Sequence, residues 1–178
     1  MNKFPTKQEI EREWMDLQQV EACSGGEYPH SRKLIRNWTD RGLVQIKNPN
    51  PGTNEKRLYS LKNAIELSVM RDMVSDGKTV RTARIIADKA IKYVYQLIKK
   101  RISLDELDIQ GHILIYMGTL GTSGAKYFVV EPDKIVEWLT KPQSDMFHVT
   151  GSPPMNFHVY HIDYSILRCI QTYQEIKG

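Results

Sequence analysis

Between residues 80 and 97 the apolar side chains Val80, Ala83, Ala87, Ala90, Val94 and Leu97 recur at spacings of 3, 4, 3, 4 and 3. A strand would scatter these six over two faces, whereas an α-helix gathers them into one stripe. The segment is therefore a long helix, capped at its start by Thr79, and its heptad pattern runs for nearly three repeats. Ile86, Ile91 and Ile98 widen the stripe. A stripe of this length has to be covered, either by its own domain or by a second copy of the same helix. The three alanines permit close approach, so pairing with a second copy is the expectation.

Upstream, Thr6 and Glu9 form a capping box. Ile10, Trp14, Leu17 and Val20 follow at helical spacing, which predicts one helix ending near Ser24, Gly25 and Gly26. A second helix begins near His30 or Ser31, places Leu34, Ile35 and Trp38 on one face, and stops at Gly42. Its other positions carry Arg32, Lys33, Arg36 and Arg41. Two strand-like arms, Leu43 to Ile46 and Arg57 to Tyr59, then flank a proline-rich loop over 48–54, the pattern of a wing. Ser60 caps a helix with Ala64, Leu67, Met70 and Val74 inward, closed by Gly77.

Downstream of the long helix the pattern changes. Ser103 and Glu106 cap one further turn, and strands are expected over 112–117, 126–131 and 156–162. A turn over 118–125, a short helix over 132–139 and a loop over 141–155 separate them, and Asp163 opens a last helix with Ile166, Ile170 and Tyr173 inward. The expected fold is α+β in three parts. Residues 1–78 form a winged helix-turn-helix domain, residues 79–101 a linking and dimerisation helix, and residues 102–178 a small α/β domain with a mostly antiparallel sheet.

Charge divides the chain in the same place. Residues 1–101 hold 20 Lys/Arg against 12 Asp/Glu, a net of +8, whereas residues 102–178 have a net of −4. Within residues 28–62 the net is +6. An anionic partner is expected for the first half only. No apolar run approaches the roughly 18 residues of a membrane span, and the mixed charges of the first 13 residues do not make a secretory signal. Cys23 and Cys169 lie far apart without metal-ligand spacing, which fits free thiols in a reducing compartment. A cytoplasmic protein, away from membranes, is expected.

Signals for catalysis are weak. The glycine-rich stretch over 118–124 leads into a strand and lacks the helix N-terminus that a phosphate cradle needs. On a strand His158 and His161 face opposite sides, so only His161 and Asp163 share a face, and no third ligand is suitably spaced. No enzyme, metal site or cofactor is expected.

Three landmarks fall in the order found in a known family. Ile35-Arg36-Asn37-Trp38 stands where MerR-type winged-helix regulators carry Leu-Arg-Tyr-Tyr, and Gly42-Leu43-Val44 matches their Gly-Leu-Leu stop. Arg57-Leu58-Tyr59-Ser60 matches the end of their wing and the next cap, and Gly77-Lys78-Thr79-Val80 falls where they join two later helices. From Tyr28 to Ala90 the chain thus resembles that family, with Asn37 and Thr39 as departures. The resemblance implies a homodimer on a pseudo-palindromic operator in double-stranded DNA, with recognition helices in successive major grooves. It also implies that the long helix pairs the two copies and that the C-terminal part answers a small-molecule or protein effector.

The DNA-binding set is then Arg32, Lys33, Arg36, Asn37 and Arg41 on the helix, with Lys47, Lys56, Arg57 and Tyr59 on the wing. Arg36 and Arg57 are phosphate contacts, and Asn37 has an amide suited to an adenine edge. Tyr59 packs the wing root with its hydroxyl available to a phosphate. The dimerisation set is Val80, Ala83, Ala87, Ala90, Val94 and Leu97. The function expected is a sequence-specific transcription regulator. Its rivals are an architectural or phage/plasmid accessory DNA-binding protein, and a protein whose chemistry lies in a ligand-binding or enzymatic C-terminal domain.

Overall fold

A computed structural model describes residues 4–26, 30–53, 55–110, 113–118, 126–130 and 156–178. Residues 119–125 of the turn expected over 118–125, the helix over 132–139 and the loop over 141–155 lie outside the described residues, as does the side chain of His158. The chain divides into two compact units. One joins Met1–Leu104 to Ser165–Gly178, and the other is Asp105–Tyr164.

The first unit is helical. Helix α1 (Lys7–Glu11) opens on the Thr6–Glu9 capping box, and α2 (Leu17–Cys23) on a second box made by Asp16 and Gln19. The single helix expected over this stretch is therefore two. Between them Met15 pairs with Tyr59 as an isolated antiparallel bridge, which holds the backbone extended where a helix would have to continue. Helix α3 (Ser31–Asp40) ends on Gly42 at φ +67°, with Leu43 N–H donating to Trp38 O at 2.8 Å and Gly42 N–H to Thr39 O at 2.9 Å. That bond pair is the glycine-terminated helix end read from the sequence.

Helix α4 (Leu61–Ser75) is the centre of this unit. Ser60 and Asn63 cap it reciprocally, and Ala64, Ile65, Leu67, Val69, Met70 and Met73 bury different sides of it. A helix buried around most of its circumference must be packed from several directions. Helices α1, α2 and α5 (Val80–Lys100) all contact it. Thr79 caps α5 by accepting from Thr82 N–H, and Gly77 closes α4 with the same bond pair as Gly42.

The seam of α5 overturns its expected role. Ala83, Ala87, Ala90 and Val94 are 0 % exposed and Leu97 3 %, all within one chain, and Val80 is half-buried. Helix α4 packs on α5, so these side chains are not available to a second copy. The opposite face of α5 shows Arg81, Ile85, Lys89, Lys92, Gln96 and Lys99 to solvent. The period was right for a buried face and wrong for what buries it.

Helix α6 (Leu104–Gln110) precedes the strands, and the last helix, α7 (Ile162–Lys177), follows them. Ile166, Cys169, Ile170 and Tyr173 form its buried stripe. Cys169 Sγ lies 3.8 Å from Ala64 O, Ser165 Oγ donates to Asp72 at 3.1 Å, and Arg168 donates to Ser68 at 2.6 Å. Lys177 reaches Glu9 at 2.7 Å, and Tyr173 meets Trp14 edge to face at 5.7 Å. Residues 165–178 thus belong with the first unit, which corrects the expected boundary that assigned all of 102–178 to a separate domain.

In the second unit, β1 (Ile113–Gly118) lies between β2 (Lys126–Val130) and β3 (Asn156–His161), antiparallel to both, with Ile115 opposite Phe128 on one side and Val159 on the other. The expected α+β class is nevertheless corrected, because the described fold is mostly helical. The buried side chains of the first unit sit on helices or on their immediate flanks. The wing has no hairpin: neither of its expected arms is a strand, and only Tyr59 pairs, with Met15 rather than across the loop. Within 48–51 two prolines remove backbone donors and two asparagines favour turns, which works against a ladder. Among the described residues no helix is long and apolar enough to cross a membrane.

Candidate nucleic-acid interface

Helices α2 and α3 contact each other, and one carboxylate fixes their junction. Glu21, on α2, accepts hydrogen bonds from Ser31 Oγ and from the guanidinium of Arg32 at the start of α3. Burial alone would raise the Glu21 carboxyl, but these two donors outweigh it and hold the group below its ordinary value. Ser31 therefore serves the junction and does not cap its helix. The N-cap is His30, in the left-handed region at φ 69°, without a side-chain cap bond.

Ile35, Trp38 and Thr39 turn into the core. Leu34, expected beside them, is 37 % exposed. The outward positions of α3 are Arg32, Lys33, Arg36 and Asn37, with Arg41 at its end, and all five are exposed. Arg32 is tied to Glu21. Among the described residues Lys33, Arg36 and Arg41 have no carboxylate partner. Three unneutralised cations on one face of a ten-residue helix, with an amide between them, suit phosphate oxygens and a base edge.

The wing residues divide. Lys47 and Lys56 are exposed. Arg57 is only 24 % exposed in its side chain and pairs with Asp40, at the end of α3, at 2.6 Å. Tyr59 is 0 % exposed, its hydroxyl 3.4 Å from Thr39 Oγ. It is a core residue, and its expected phosphate contact is corrected accordingly: the side chain is fully covered, and the hydroxyl faces Thr39 of α3. Arg32, Arg36, Lys56 and Arg57 nonetheless line one open cleft of about 590 Å³, together with Gln18 of α2 and the carboxylates of Asp16 and Asp40.

Three residues of this surface were not singled out from the sequence. Gln18 lies within the Asp16–Gln19 box, a start signal that was legible but hidden under a continuous apolar spacing. Glu21 and Asp40 act on arginines eleven and seventeen positions away, and no local pattern announces such partners.

The chain matches no protein-family model, and no curated protein matches its sequence.

Proposed function

We propose that this chain is a sequence-specific DNA-binding transcription regulator that reads a groove with α3. The observation that carries the reading is the exposed quartet Lys33, Arg36, Asn37 and Arg41 on one helix face, beside a cleft lined by four further or shared basic groups. Counterion release on phosphate binding would supply affinity, and the Asn37 amide and Arg36 guanidinium would supply base preference. The net +6 over residues 28–62 supports a polyanionic partner, and the resemblance to MerR-type regulators supports DNA as that partner.

A homodimer on a pseudo-palindromic site remains part of the proposal through that resemblance, but its contact surface is not the α5 seam. An effector, small molecule or protein, would act through residues 105–164.

A fluorescence titration against duplexes selected from genomic fragments tests the reading. Arg36→Ala should weaken binding to every sequence and lower the slope of log affinity on log salt by about one unit. Unchanged affinity would remove Arg36, and with it the proposed reading face, from the interface. Occupancy at recombination or partition sites instead of promoters would point to an accessory DNA-binding role.

A further inference from the structure

We propose that Glu13 and Asp40 are positioning residues that clamp the segment 47–57 beside α3, in place of the strand ladder a wing ordinarily has. The clamp itself stands on geometry, and only its effect on binding rests on the DNA-binding reading.

The segment's own bonds hold it to itself. Asn48 donates to Glu55 at 2.9 Å, and Glu55 N–H to Gly52 O at 3.0 Å. Neither bond reaches the helices. Two carboxylates from outside the segment hold its legs. On the outgoing leg Glu13 Oε1 accepts the backbone N–H of Lys47 at 2.9 Å, and on the returning leg Asp40 holds Arg57 at 2.6 Å. Each leg is thus anchored by one acid, at Lys47 itself and at Arg57 next to Lys56, and these two exposed lysines are candidates for phosphate.

The placement of these acids is otherwise adverse. Asp40 lines the basic cleft and Glu13 holds the backbone of the exposed Lys47, so each negative charge stands where it would repel a polyanion. A bystander carboxylate would therefore weaken DNA binding, and neutralising it would tighten the complex. A clamp makes the opposite demand, because a freed segment must be ordered again when DNA binds, and that ordering opposes association.

Limited trypsin digestion of the full chain without DNA, followed at Lys47 and Lys56, tests the clamp directly. Glu13→Gln and Asp40→Asn should be cut about three- to tenfold faster than the wild type at equal global stability, and Asp40→Glu should restore resistance. Titration of a duplex should show both neutral variants binding more weakly by a similar factor despite their lost negative charge. Unchanged digestion rates overturn the proposal, as does tighter DNA binding by both variants. A wild type that binds no duplex defeats the DNA-binding reading, and the digestion rates then judge the clamp alone.

Discussion

Arg71, on the central helix α4, donates through its guanidinium to the carbonyl oxygen of Gly25, in the turn that ends α2. The same arginine lies 3.5 Å from Asp72, which accepts from Ser165 of α7. Arg168 of α7 reaches both Ser68 and Asp72. One polar cluster therefore connects the turn that aims the basic helix to the C-terminal helix. Bonds to charged groups in a partly buried setting are worth more than surface pairs, so this cluster should respond sharply to small changes.

Gly25→Ala is the first such change. Gly25 has φ +86°, and a Cβ there would lie 2.6 Å from Arg71 Nη2 and 3.0 Å from Arg168 Cζ. Strained backbone and displaced guanidinium together should lower stability by about 1–3 kcal/mol. Gly42 supplies the control, because its φ is +67° but a Cβ would meet nothing within 4 Å. Urea unfolding midpoints should fall further for Gly25→Ala than for Gly42→Ala, and equal shifts would count against the crowding.

Acid should loosen the first unit through Glu9. The hydrogen bond from Lys177, then those from Thr6, hold its carboxyl at about 2 against an ordinary 4.5. The unfolded chain therefore takes up the proton first as pH falls. The contribution is complete above about pH 4.5 and is lost as pH drops towards 2. Glu9 is 38 % exposed in its side chain, so solvent screening keeps the effect small. Glu9→Gln should flatten the stability profile across that window, as followed by thermal melts at stepped pH. A profile parallel to the wild type would show that the Glu9–Lys177 pair does not couple α1 to α7.

What could be read in the sequence was local. Ser60, Thr79, Gly42 and Gly77 act within four residues of their targets, and each sits where its residue type predicts. The basic face of α3 was equally legible, since it depends on one helical period. The break between α1 and α2 was not, because Met15 is held by Tyr59, far along the chain, while Trp14 and Leu17 keep a helical spacing across it. The α5 stripe marked a buried face, but a period cannot say whether α4 or another chain covers it. Arg57 and the Tyr59 hydroxyl were assigned to phosphate by motif, whereas in the fold Arg57 pairs with Asp40 and the hydroxyl faces Thr39.

Both thiols should be inert in the folded chain. Burial raises Cys23 to about 12 and Cys169 to about 11, so neither holds appreciable thiolate at neutral pH. Both side chains are fully covered. A disulfide-exchange reagent at pH 8 should label them only at the rate of unfolding, and at full speed in denaturant. Rapid labelling of either thiol in native buffer would mean that α2 or α7 opens locally at low cost.

Ala87→Leu separates the two uses a heptad seam can have. Ala87 is 0 % exposed on the face of α5 that meets α4, with no room for three further carbons. Overpacking a closed core of this kind should destabilise the chain by about 1–3 kcal/mol. The molar mass in solution, measured by light scattering, should stay that of the wild type, because the seam faces its own chain. A seam that joined two copies would behave otherwise, since enlarging a small residue at a helix pair changes the preferred number of helices. A changed mass with an unchanged melting temperature would return the seam to a second copy.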